Sequence, residues 1–169
     1  MNRRCALGLC AIALVTIPAL PSSSVAQKKS LRDQLVGTWV YMSSTARRDN
    51  GSTVQRPSFK GTATYAADGR FQLIAARTDA PEYKSGDPAR PSSDEALAAS
   101  GSFTTYTGTY TVDENTKTIH ANIETSTFPN FVPAPDLRRI IKSITADEIS
   151  LTNLDTPGLT IDTVWKRVK

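Results

Sequence analysis

A chain of 169 residues with 39% hydrophobic content can bury one sizeable core and suits one folded domain. Its formal charge of +4 rests on 20 Lys and Arg against 16 Asp and Glu. These are scattered singly or in pairs such as Arg47–Arg48 and Arg138–Arg139, which is no nucleic-acid footprint.

The N-terminus has the layout of an export leader. Arg3 and Arg4 precede the apolar run Cys5–Leu20, and Ser24-Val25-Ala26 places small residues where a signal peptidase reads. Cleavage is expected after Ala26, which divides the chain into a signal peptide over 1–26 and a mature domain over 27–169. The apolar run falls short of the ~20 residues that a membrane-spanning helix needs. The expectation is therefore a secreted or periplasmic protein with no stable membrane span after cleavage. Both cysteines, Cys5 and Cys10, leave with the leader, as do Arg3 and Arg4, lowering the formal charge to +2. A mature chain without thiols and with one histidine, His120, has no usual zinc or iron site, and no carboxylate cluster has calcium-loop spacing. No metal and no cofactor are expected.

The rest reads as a succession of strands. Lys28–Gln34 suits a short helical lead-in, and Leu35–Met42 is the first strand, with Gly37 and Trp39 on one side. Ser43–Pro57 is a polar loop with a ragged strand near Val54. Asn50-Gly51-Ser52 within it matches a glycosylation acceptor, a triplet that also arises by chance. Phe59–Ala66 and Arg70–Arg77 alternate around Ala67-Asp68-Gly69, and Asp-Gly supplies the positive φ that a tight hairpin demands. Ser92–Ser100 reads as a helix that could close one mouth of a barrel, with Ser92 and Glu95 at capping-box spacing.

Gly101–Asp113 and Thr118–Thr125 form the longest hairpin, around the Asp113–Lys117 turn. The Phe128–Pro135 stretch breaks the pattern, and strands resume at Leu137–Ile144, Glu148–Leu154 and Leu159–Val168. The spacing predicts an all-β fold: an eight-stranded antiparallel up-and-down barrel with one short helix. An eight-stranded barrel has room for one small ligand.

Several patches resemble the lipocalin-like domain family of bacteria and fungi, a branch of the lipocalin and calycin barrels. They are Leu35-Val36-Gly37-Thr38-Trp39, Tyr65 through Asp68-Gly69-Arg70, Tyr106 through Asp113, Ser126 through Phe131 followed by Arg138, and Val164 through Val168. The resemblance implies that Trp39 sits at the closed end of the barrel beneath Arg167, as a structural cation–π contact. The family often carries His where Asn122 stands and Trp where Phe131 stands.

Two faces of Thr118–Thr125 make two architectures. A barrel packed with apolar side chains would turn Ile119, Ala121 and Ile123 inward; a cavity with polar anchors could be lined by Thr118, His120, Asn122 and Glu124. The cavity reading carries the leading functional expectation. A small, largely hydrophobic molecule would bind against Trp39, Tyr65, Tyr106 and Tyr110, with His120, Asn122 and Arg138 orienting its polar end. The alternatives are a cofactor-free isomerase or cyclase using His120 as acid or base, and a solid-core envelope protein that binds a protein partner through Pro129–Pro135. Ser-His-Asp catalysis is disfavoured because the sequence has no nucleophile-elbow motif.

Overall fold

The computed structural model describes residues 29–132 and 136–169. The expected leader over 1–26, and part of the Pro129–Pro135 surface, lie outside the described residues. No described helix is long and apolar enough to cross a membrane.

Among the described residues nine strands form one sheet. They are β1 (Gly37–Arg48), β2 (Thr53–Val54), β3 (Phe59–Tyr65), β4 (Arg70–Arg77), β5 (Phe103–Asp113), β6 (Thr118–Ser126), β7 (Leu137–Ile144), β8 (Glu148–Thr156) and β9 (Leu159–Arg167). All pairings are antiparallel, and β3 through β9 follow one another as a meander. β9 then returns to β1, from Trp39 opposite Arg167 to Arg48 opposite Leu159, which closes an eight-stranded barrel. β2 is an extra strand on the far half of β1, at Ala46 and Arg47.

Period-two alternation decides what enters the barrel. Ile119, Ala121 and Ile123 of β6 are buried, as are Tyr106 and Tyr110 of β5, Leu137 and Ile141 of β7, and Ile149 and Leu151 of β8. The Asp68-Gly69 turn joins β3 to β4 with Gly69 at φ +90°, a conformation in which glycine carries no Cβ penalty.

The helical lead-in is real: α1 (Leu31–Leu35) closes one end of the barrel, with Leu35 fully buried and Leu31 packed on the core. Its N-terminal amides are met from across the barrel by Glu114, whose carboxylate accepts from Leu31 N at 2.9 Å and Arg32 N at 3.1 Å. Among the described residues the second α-helix is the one expected over Ser92–Ser100. α2 (Ser93–Ser100) has the expected capping box on Ser92 and Glu95, but none of its residues is buried. It stands off the barrel in the β4–β5 connection, so the helix that closes a mouth is α1.

Candidate functional site

Trp39 anchors the closed end. Its indole N–H donates to Leu35 O at 2.8 Å, and the Arg167 guanidinium lies 4.0 Å from the ring centre. Arg167 also donates to Ala146 O at 2.6 Å, to Val36 O at 2.7 Å and to Gln34 O. The last two carbonyls flank the end of α1, where a cation is favoured. Gly37 makes room for this arrangement. It sits at φ +135°, and a Cβ there would lie 2.5 Å from Arg167 Nη1.

Above this plug the rings form a relay towards the open mouth. Tyr65 meets Tyr110 edge-on at 5.1 Å and stacks on Phe71 at 6.0 Å; Phe71 meets Tyr106 at 5.9 Å. Tyr106 meets Phe131 at 5.8 Å, and Phe131 meets Phe128 at 5.0 Å. Burial pushes the Tyr65 phenol well above its ordinary value. The outermost pair belongs to the β6–β7 connection, where a single helical turn over Pro129–Phe131 lays Phe131 against Tyr106. Among the described residues β6 pairs with β7 only from Thr118 to Ala121, and Phe131 packs on Tyr106 beyond that point.

Between plug and cap lies a cavity of about 30 Å³, lined by Tyr65, Phe71, Tyr106, Trp165, Arg139 and Asn153 among others. That volume holds about two water molecules. The interior is nearly filled, which corrects the expectation of a preformed hollow for a ligand: the aromatic residues and the inward isoleucines of β6 occupy it.

The polar part of the wall is a cluster at the start of β7 and the end of β8. Arg139 lies opposite Asn153, both facing in, and Arg139 pairs with Asp155. The two side chains are only 10% and 13% exposed. Arg139 also donates from Nη2 to the Tyr106 hydroxyl at 3.2 Å and from Nη1 to Arg138 O at 3.1 Å. Burial pulls the Arg139 guanidinium down, but Tyr106 and Asp155 outweigh it and hold it protonated. Burial pushes the Asp155 carboxyl above its ordinary value, against the pull of Arg139. Asn153 Oδ1 is buried without a hydrogen-bond partner.

The expected site residues divide into two groups. Trp39, Tyr65 and Tyr106 line the cavity. Tyr110 lies below it, with its hydroxyl donating to Ala66 O at 2.8 Å, and serves the closed end. His120, Asn122 and Arg138 are on the outer face, because Ile119, Ala121 and Ile123 occupy the inner one. Asp136 brings two of the three together outside. Its Oδ2 lies 2.9 Å from His120 Nδ1 and 3.8 Å from Arg138 Nε, with the Arg138 side chain 67% exposed. None of the three can orient a molecule inside the barrel, and the chain's one histidine cannot act as acid or base there.

Arg139, Asn153 and Asp155 are the residues that sequence reasoning missed. Arg139 shares parity with Leu137 and Ile141, whereas Arg138 shares it with Lys142, a pattern that marks Arg139 as the inward member of the pair.

A family model described as the lipocalin-like domain matches residues 36–165. Among curated proteins none matches the chain. Similar solved structures include a lipocalin-like protein from Bacteroides uniformis, at 13% identity and a TM-score of 0.45, over 80% of this chain and 99% of that one. A redesigned β-barrel is 15% identical at a TM-score of 0.41, over 83% of this chain and all of its own. A de novo fluorescence-activating β-barrel is 11% identical at a TM-score of 0.42, with the same coverage.

Proposed function

Because the chain belongs to the lipocalin-like domain family, we propose that it binds a small, largely apolar molecule inside the barrel, next to Arg139 and Asn153. The observation that carries this reading is the unpartnered Asn153 Oδ1 beside a buried Arg139–Asp155 pair on the cavity wall. A barrel filled only for stability gains little from such groups. A buried ion pair is often no better than the apolar residues that could replace it, and an unmet buried acceptor costs ~1–3 kcal/mol. The polar wall makes sense as half of a recognition site. Entry then requires the Phe128–Phe131 turn over Tyr106 to move aside. Export belongs to the same proposal and rests on Arg3, Arg4, the apolar run Cys5–Leu20 and the small residues at Ser24-Val25-Ala26.

The test is titration of the purified mature domain with N-phenyl-1-naphthylamine, an uncharged dye that brightens in apolar surroundings. Saturable binding at micromolar concentration is expected. Ala121→Leu, which places three more carbons in the cavity, should weaken it by about tenfold while circular dichroism stays unchanged. Binding insensitive to Ala121→Leu places the dye outside the barrel and removes the reading.

The cavity volume of about 30 Å³ favours a second reading, a solid barrel that works through its outer surface. That reading gains if the wild-type domain takes up no dye.

A further inference from the structure

The charges around the cavity specify which molecules it would accept. Arg139 is the charged residue on the cavity wall, and its charge is met by Asp155 behind it. Its remaining contacts run to the Arg138 carbonyl and the Tyr106 hydroxyl. The neighbouring cations are turned outward and engaged there: Arg138 near Asp136, and Lys142 with Arg47 on Asp162. The wall is therefore neutral as a unit, with no cation to spare.

The buried hydrogen-bonding atom that the wall leaves unmet is an acceptor, Asn153 Oδ1. The Tyr106 oxygen accepts from Arg139, and its own O–H is left to donate to a group of the ligand, such as a hydroxyl oxygen. A molecule with an O–H or N–H group at this point would satisfy Asn153, and its apolar body would lie against Phe71, Leu151 and Trp165. A carboxylate or sulfonate in the same place would add a second buried anion beside Asp155 and leave Asn153 unmet.

We infer that the interior selects uncharged apolar molecules carrying a hydrogen-bond donor and rejects anionic amphiphiles. The inference rests on the interior-binding reading above and names the ligand class for that site. It replaces the expectation that Arg138, with His120 and Asn122, would orient the polar end of the ligand.

Two dyes with one skeleton test it. N-phenyl-1-naphthylamine is uncharged with a single N–H; 8-anilinonaphthalene-1-sulfonate is the same molecule with a sulfonate added. Intrinsic hydrophobicity biases the pair, so the quantity read is the ratio of their dissociation constants in wild type and in Asp155→Asn. Removing the carboxylate frees the charge of Arg139, and the ratio should move towards the sulfonate by about tenfold. Asn153→Leu, which introduces no buried charge, should weaken the uncharged dye about fivefold and serves if Asp155→Asn does not fold.

A ratio unchanged by Asp155→Asn, or a wild-type preference for the sulfonate, overturns the selectivity while leaving interior binding intact. An affinity for the uncharged dye unchanged by Asn153→Leu does the same. If neither dye binds the wild-type domain, interior binding itself is removed, and the selectivity falls with it.

Discussion

Two guanidinium groups sit at opposite ends of this barrel, and they are met in different ways. At the closed end Arg167 lies over the Trp39 ring and donates to the carbonyls of Gln34, Val36 and Ala146. These partners are neutral. At the open end Arg139 is held by the carboxylate of Asp155 and shares its wall with the unmet Asn153 oxygen. One arginine completes a plug; the other adds opposed charges and a spare acceptor to a nearly full interior. The closed end is organised for packing, and the open end carries the features that ask for something further.

The sharpest way to break this contrast is to remove Arg139. Arg139→Met should cost ~3–5 kcal/mol in urea denaturation at pH 7, because Asp155 is left buried without its cation. Adding Asp155→Leu should recover most of that loss, as the pair is replaced by apolar bulk. If the double variant is no more stable than the single one, the cluster is itself a source of stability and the contrast fails.

At the other end, Gly37→Ala should cost ~1–3 kcal/mol through its positive φ and the collision with Arg167. The loss should be insensitive to salt because the displaced partners are neutral. A loss that shrinks as ionic strength rises would mean that charge, not packing, holds the plug.

The smallest effects concern acid titration, where two open-end carboxyls should behave oppositely. Glu95 accepts from Ser92 N and Ser85 N, and these bonds lower its value to about 2. A depressed value means that the α2 cap is held fully above the ordinary carboxylate range and lost as pH falls through about 2. Asp155 is raised instead, so its ionisation erodes stability as pH climbs from the ordinary aspartate value through the folded one. Side-chain carbon shifts followed by NMR across the acid range should place Glu95 below, and Asp155 above, a free carboxyl. Because no α2 residue is buried, the Glu95 step should change amide exchange in that helix while global unfolding scarcely moves.

The barrel and its plug were legible in the sequence because their signals are local or unambiguous. Asp68-Gly69 admits one kind of turn, alternation marks the strands, and the family resemblance carried by Gly37-Thr38-Trp39 and Val164–Val168 implies the ring contact that is found. The polar interior was not legible in the same way. Arg138 and Arg139 are chemically the same, and only their parity with Leu137 and Ile141 tells them apart. His120 was drawn inward by the idea that a cavity needs polar anchors. The packing of Ile119 and Ile123 governs the strand instead, since turning His120 in would have turned both isoleucines out. Asn153 and Asp155 sit in a strand end rich in polar residues, where composition alone gives no direction. Their meaning comes from standing across from Arg139.

The seam between β1 and β9 joins the first barrel strand to the last, and Arg167 reaches back 131 residues to Val36. A nascent chain cannot complete this ring until β9 has been synthesised. Until then both margins of the curling sheet stay unpaired and Trp39 lacks its cover. Contacts so distant along the chain are slow to form, so the joining of head to tail should be among the last events of maturation. A truncation of a few residues at the C-terminus would therefore act on the whole ring.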